Sequence, residues 1–248
     1  MKAYVTGLWQ RRLKMSDKNL ADFSKEQFYI KYEKIQKELT AGCSPVSKPY
    51  ATILGGQPGA GKSFLHNKAL SEDNNIILIN GDDYRKYHPN FKAIDKTFSK
   101  DSPKYTQTFA NTVVERLISD LSDGKFNLSI EGTLRTAEVP LKTCRILKEK
   151  GYIVELSVMA VSKELSWQGT ISRYKEMESL GMIPRTTSRE NHDYIVKVIP
   201  ENLHEIFRSG EFHRITLYDR ALNCLYDSKI TPDLSPQAII LAALQEKD

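Results

Sequence analysis

Short apolar runs and helix-period segments alternate along most of this chain. Residues 51–54, 76–79, 127–130 and 153–161 read as nearly continuous apolar strands, the pattern of strands covered on both faces. Residues 63–70, 106–121, 139–150, 163–180 and 189–207 carry apolar side chains at helical spacing. Strand then helix, repeated, implies right-handed crossovers and a central, mostly parallel sheet. A last strand at 215–218 and a helix opened by Ser235 and Pro236 close the pattern. Upstream, Ser24 and Gln27 fit a capping box, Phe28, Ile35 and Leu39 recur at helical spacing, and Gly42 follows. This predicts a helix from Ser24 to about Thr40, an N-terminal helical appendage on an α/β fold.

The chain has 248 residues, 40% of them apolar, enough to bury one good core. The expected division is an N-terminal extension over 1–22 and a single domain over 23–248. A net charge of +5 is spread along the sequence. It fits an anionic substrate or nucleotide as readily as nucleic acid, and charge does not choose between them. Cys43, Cys144 and Cys224 are odd in number and lack metal-ligand spacing, so a disulfide scaffold or zinc module is not expected. No apolar run approaches the roughly 18 residues of a membrane span, and the first residues lack an apolar stretch of about 7 as in a signal peptide. A cytoplasmic protein without membrane attachment is expected.

Directly after the first strand stands GGQPGAGKSF, in which Gly56, Gly61, Lys62 and Ser63 fit the spacing G-x-x-x-x-G-K-[ST]. In such a P-loop, glycines let successive N–H groups turn inward onto phosphate oxygens, and the following helix presents its positive end. The loop residues Gly56, Gln57, Pro58, Gly59, Ala60, Gly61, Lys62, Ser63 and Phe64 are therefore the expected nucleotide contacts. Lys62 reaches the β- and γ-phosphates, and the Ser63 hydroxyl ligates Mg²⁺. A P-loop alone leaves kinase, GTPase, motor and ATPase open. Asn67-Lys68-Ala69-Leu70 lacks the aspartate of a guanine-reading N-K-x-D motif, so the GTPase reading loses ground.

In an open parallel sheet, ligands sit beyond the carboxyl ends of the strands. Strand 76–79 runs into Asn80-Gly81-Asp82-Asp83, and strand 127–130 into Glu131-Gly132-Thr133. A phosphoryl acceptor must lose its proton, so Asp82 is the candidate base, with an Asp-rich helix cap as the competing explanation. Glu131 either holds Mg²⁺ through water or accepts hydrogen bonds from substrate; the residues leave both open. Arg173 and Arg185 follow the last main strand, where a planar guanidinium fork suits phosphate oxygens. Together these features predict an ATP-dependent kinase acting on a hydroxyl of a small anionic metabolite. Competing readings are the same fold acting on an antibiotic, a dinucleotide or a nucleic-acid end, and a nucleic-acid-stimulated ATPase.

The ordered landmarks GGQPGAGKS, INGDDYRKYHPNF, LSIEGTLRT, ISRY, PRTTSRENHD and the closing LYD and LYDS resemble the zeta toxin kinases of epsilon-zeta toxin-antitoxin systems, from about Phe23 onward. The resemblance implies transfer of phosphate from ATP or GTP, with Mg²⁺, to the 3′-hydroxyl on the amino sugar of UDP-N-acetylglucosamine, which starves cell-wall synthesis. Carried over by motif, Lys62 resembles the phosphate-binding lysine, Ser63 the magnesium hydroxyl, Asp82 the base, and Arg173 with Arg185 the transition-state arginines. Asp82, Asp83, Glu115, Glu131, Thr133 and Arg135 resemble sugar-nucleotide contacts. A separate small helical antitoxin covering the nucleotide site is implied as partner, and nucleic acid is not. Serine stands at 63 where relatives often have threonine. Asp83 adds a charge beside the presumed base and leaves its identity open between the two aspartates. Trp9, Arg11 and Arg12 match nothing in the family.

Overall fold

The computed structural model describes residues 20–182 and 184–246; residues 1–19, and with them Trp9, Arg11, Arg12 and most of the expected 1–22 extension, lie outside the described residues. The chain forms two compact units, one of residues 40–80 and 118–248, the other of residues up to 39 and 81–117.

The larger unit is built on a six-stranded sheet of β1 (Tyr50–Gly55), β2 (Ile76–Ile79), β3 (Asn127–Glu131), β4 (Ile153–Met159), β5 (Arg214–Tyr218) and β6 (Cys224–Asp227), in the order β2-β3-β1-β4-β5-β6. The first five strands are parallel, and only β6 runs antiparallel, against β5. Ile53 of β1 sits level with Ile130 of β3 and Leu156 of β4, so the apolar runs stack across the sheet. Ala51, Leu128 and Leu156 are completely buried, as strands covered on both faces require. The edge strand β6 has no apolar run to announce it: Cys224 and Leu225 are exposed, and only Tyr226 and Asp227 are buried.

The helices of this unit are α2 (Lys62–Glu72), α6 (Glu138–Glu149), α7 (Lys163–Ser179), α8 (Arg189–Ser209) and α9 (Gln237–Gln245). Serine caps open two of them: Ser162 accepts a hydrogen bond from Leu165 N, and Ser188 from Asn191 N. Strand order decides where a ligand can sit. From β1 the chain crosses to β2, outside β3, and it later returns to the opposite side of β1 for β4. The carboxyl end of β1 therefore lies where the winding reverses, the place where open α/β sheets hold ligands.

The smaller unit contains α1 (Lys25–Thr40), α3 (Gly81–Tyr84), α4 (Phe91–Phe98) and the first part of α5 (Ser102–Asp123). The capping box is formed as expected: Ser24 N donates to Gln27 Oε1 at 2.9 Å and Gln27 N to Ser24 Oγ at 3.1 Å. Phe28, Tyr32 and Ile35 bury one face of α1. The Phe109 ring of α5 anchors that face, 5.8 Å from the Phe28 ring and 5.2 Å from Phe23. Each such buried aromatic stabilises the helix by about 2 kcal/mol. Among the described residues no helix is long and apolar enough to cross a membrane.

Candidate active site

The loop from Gly56 to Gly61 leaves the end of β1 and opens α2. Gly61 is the helix N-cap, in the left-handed region at φ 96°, and a Cβ there would lie 2.8 Å from the Phe64 ring. No side chain caps this helix and no acidic residue stands in its first turn. Its first N–H groups and the positive end of its dipole are thus without the side-chain counter-charge that helix starts usually carry, the arrangement that accepts an anion. The loop is seated on an apolar floor of Leu54, Ala60, Leu65, Met159 and Val161.

Lys62 is the most constrained cation in this region, only 7% exposed. Its Nζ donates to the carbonyls of Gly56 at 3.0 Å and Gln57 at 3.2 Å, and lies 3.7 Å from Glu131 Oε1. The second carboxylate oxygen, Oε2, accepts from Asn80 Nδ2 at 3.0 Å. Because Ile79 is level with Ile130 in the ladder, Asn80 and Glu131 leave the sheet side by side. Asn80 was not singled out in the sequence, although the strand-end reasoning that selected Glu131 applies to it equally. One turn along α2, His66 is 8% exposed. Burial holds its imidazole below the ordinary histidine range, against the opposing pull of Glu131. Ser63 follows Lys62 on the exposed side of the first turn.

Gln57 contributes its backbone to the loop, while its side chain is engaged elsewhere. Its side chain is fully buried and turned away from the loop mouth: Nε2 donates to Val161 O at 2.7 Å and to Ser166 Oγ at 3.1 Å. Only its backbone remains available to a phosphate.

After β3 the chain is pinned at several points. Gly132 N donates to Leu54 O at 2.8 Å, and Asn202 Nδ2 of α8 donates to Leu134 O at 2.8 Å. Leu134 is buried at φ 54°, a left-handed conformation that costs a branched apolar residue on the order of 1 kcal/mol or more. Thr133 is half-buried in this turn. Arg135 is directed to α8, with Nη1 3.4 Å from Asn191 Oδ1 and the guanidinium 5.2 Å from the Tyr194 ring. Arg173 lies half-buried on α7, and Arg185 half-buried in the segment between α7 and α8.

The remaining expected residues belong to the smaller unit. Asp82 and Asp83 form the first turn of α3, which begins two residues after β2 ends. The Asp82 carboxylate accepts from Arg85 Nε at 2.9 Å, and Arg85 is itself fixed by Pro103 O at 2.8 Å and Gln107 Oε1 at 2.7 Å. Glu115 is exposed on α5.

A divalent cation fits this donor set in one way. Among the described residues no group of three or more histidine, cysteine or acidic side chains is placed to hold a metal. An ion here would take Ser63 Oγ as its protein ligand and complete its shell with phosphate oxygens and water, as magnesium does beside nucleotides.

The zeta toxin family model matches residues 33–231 of the chain. Toxin zeta of Streptococcus agalactiae is 40% identical over 232 residues, covering 92% of this chain and 80% of that protein. Toxin PezT of Streptococcus pneumoniae serotype 4 is 39% identical over 212 residues, covering 85% of this chain and 84% of that one. Among solved structures, a chain from the PezAT chromosomal toxin-antitoxin system of Streptococcus pneumoniae superposes with a TM-score of 0.83 at 35% identity, covering 92% of this chain and 91% of that chain. With its P-loop at the carboxyl edge of a mostly parallel sheet, this chain belongs to the zeta toxin family, toxins with a kinase-like fold.

Proposed function

We propose that the protein is a toxin kinase that transfers the γ-phosphate of ATP or GTP to the 3′-hydroxyl of the amino sugar of UDP-N-acetylglucosamine. The observation that carries the kinase reading is Lys62, buried at the loop mouth, held by the Gly56 and Gln57 carbonyls and faced by Glu131. A lysine so held exchanges carbonyl partners for phosphate oxygens with little reorganisation, which is what stabilisation of a transferring phosphoryl group needs. The sugar-nucleotide acceptor rests on the motif resemblance and on family membership.

In this reading the loop N–H groups from Gly56 to Ser63 and the start of α2 bind the triphosphate, and Lys62 offsets charge on its outer oxygens. Ser63 would hold a magnesium ion beside the phosphates, and such an ion would supply further charge neutralisation. The acceptor oxygen forms a bond to the γ-phosphorus as the bond to the bridging oxygen breaks. The acceptor proton passes to Asp82, with Asp83 the alternative. Arg173 and Arg185 meet the charge that spreads over the transferring oxygens. Glu131, Thr133, Glu115 and Arg135 contribute contacts to the sugar nucleotide.

The partner in this reading is a small helical antitoxin, supported by the naming of a toxin-antitoxin system for the PezAT structure. Incubation with ATP, Mg²⁺ and UDP-N-acetylglucosamine, read by mass spectrometry, should give a singly phosphorylated sugar nucleotide. Absence of that product while ATP is consumed with another hydroxyl compound would redirect the acceptor assignment. Absence of any transfer would remove the kinase reading.

A further inference from the structure

The middle glycine of the loop is not explained by the phosphate. A Cβ on Gly59 would lie 2.0 Å from Ser166 O and 2.7 Å from Thr170 N, both backbone atoms of α7. The fit is mutual: a Cβ on Gly169 would lie 2.4 Å from Gly59 O. Loop and helix backbones are thus in direct contact, with no room for a side chain on either.

Polar atoms bind the same contact. Arg220, from the turn between β5 and β6, donates through Nη1 to Gly59 O and to Leu165 O, each at 3.3 Å, so one guanidinium holds the loop and α7 together. On the other side, the Gln57 amide donates to Ser166 Oγ at 3.1 Å, and Ser166 Oγ lies 2.9 Å from His192 Nε2 of α8. Gln57, Ser166 and His192 are all completely buried. Gln57 Oε1 has no hydrogen-bond partner. Leaving a buried carbonyl unpaired costs on the order of 1 kcal/mol or more, so an apolar residue would make a cheaper filler. The amide is placed for its two N–H bonds, to Val161 O and Ser166.

We propose that Ser166, Gly169 and Arg220 are positioning residues for nucleotide binding: they form a mount on α7 and the β5–β6 turn that fixes the backbone of the phosphate loop. None of them needs to touch the nucleotide. They act by holding Gln57 and Gly59, two residues of the loop whose N–H groups meet the phosphates in the proposed reading. Because Arg173 lies on the same helix, four residues beyond Gly169, the mount also ties the loop and that arginine to one rigid element. A fixed loop offers its donors without reorganisation, whereas a loose one must be ordered by the ligand and binds more weakly.

The mount rests on the nucleotide-binding reading of the loop, and the two can be separated. Calorimetric titration of the full chain with ATP and Mg²⁺ at 25 °C is paired with the melting temperature of the ligand-free protein. Gly169→Ala, whose methyl would press on Gly59 O, should weaken ATP affinity by about tenfold or more, and Arg220→Ala by about tenfold, the worth of a charge-assisted hydrogen bond. Arg220→Lys, which keeps a donor, should recover part of that loss. Should Gly169→Ala fail to fold, Ser166→Ala and Arg220→Ala decide, since both only remove atoms. A role in stability alone would lower the melting temperature and leave ATP affinity unchanged in the folded variants, which would overturn the proposal. Wild-type protein that bound no ATP would remove the nucleotide reading and the mount with it; wild-type binding with unaffected variants would remove the mount alone.

Discussion

Asn80 Nδ2 donates a 3.0 Å hydrogen bond to Glu131 Oε2, joining the tips of β2 and β3 by side chains where the ladder between them ends. The bond fixes one oxygen of Glu131 while the other lies 3.7 Å from Lys62 Nζ. Removing the amide by Asn80→Ala releases the carboxylate to other rotamers. Loss of one hydrogen bond to a charged group is worth about 1.5 kcal/mol or more, so kcat/KM for transfer should fall about tenfold or more. Steady-state kinetics would check this, and an unchanged kcat/KM would show that Glu131 is held without Asn80.

Lys62 itself should be far less replaceable. Lys62→Ala removes the ammonium at the loop mouth together with its bonds to the Gly56 and Gln57 carbonyls. Transfer should drop by about a thousandfold, the scale expected for one electrostatic donor in a protected site, while far-UV circular dichroism stays that of the wild type. Residual activity within tenfold of wild type would mean that the phosphate is gripped elsewhere.

The parallel sheet and the P-loop were legible because both are written in local patterns: continuous apolar runs for strands buried on two faces, and glycines ahead of a lysine and a serine at the start of a helix. The β6 strand was not legible. It is short, half exposed, and defined by its pairing with β5 rather than by its own composition. The inward turn of Gln57 was hidden for a related reason. Its partners, Val161 and Ser166, are more than 100 positions away in the chain, and nothing local to GGQPGAGKS distinguishes a glutamine aimed at phosphate from one aimed at α7. Asn80 could have been found, since it stands at a strand tip beside an acid that was.

Asp82 is exposed and accepts a hydrogen bond from Arg85 Nε at 2.9 Å, an orientation fixed further by the bonds of Arg85 to Pro103 O and Gln107. Asp82→Asn keeps the side chain's shape and an oxygen for Arg85 but removes the carboxylate proposed to accept the proton. ATP affinity should stay within a few-fold of wild type, and transfer should fall about a hundredfold or more. A near-normal rate in Asp82→Asn with a large loss in Asp83→Asn would move the role of base to Asp83.

Acid should unfold the larger unit through two carboxylates outside the candidate site. Asp227, buried on the edge strand, accepts from Arg214 Nε at 3.1 Å and from Lys229 N at 2.9 Å, and the Arg214 guanidinium is the main cause that holds its carboxyl below the ordinary aspartate range. At Asp193, partial burial favours the protonated form, but hydrogen bonds from Lys163, His192 and Arg189 outweigh it and bring the carboxyl down to about 2. In the unfolded chain both groups titrate near about 3.9. A carboxyl with a depressed folded-state pKa binds its proton more readily when unfolded, so its stabilisation is complete above that unfolded value and is lost as pH falls through the folded one. Melting temperature should therefore decline gently below about pH 6.5, as the buried imidazoles of His66 and His192 resist protonation in the fold, and most steeply between about pH 4 and pH 2. Asp227→Ala leaves Arg214, itself more than a third exposed, without its partner, and should cost about 2 kcal/mol at neutral pH, below the range for a fully buried pair. That variant should also show a shallower decline in acid, because one of the carboxylates with a depressed pKa is gone. If its melting curve ran parallel to that of the wild type from pH 6 to pH 2, Asp227 would contribute through packing rather than through its charge.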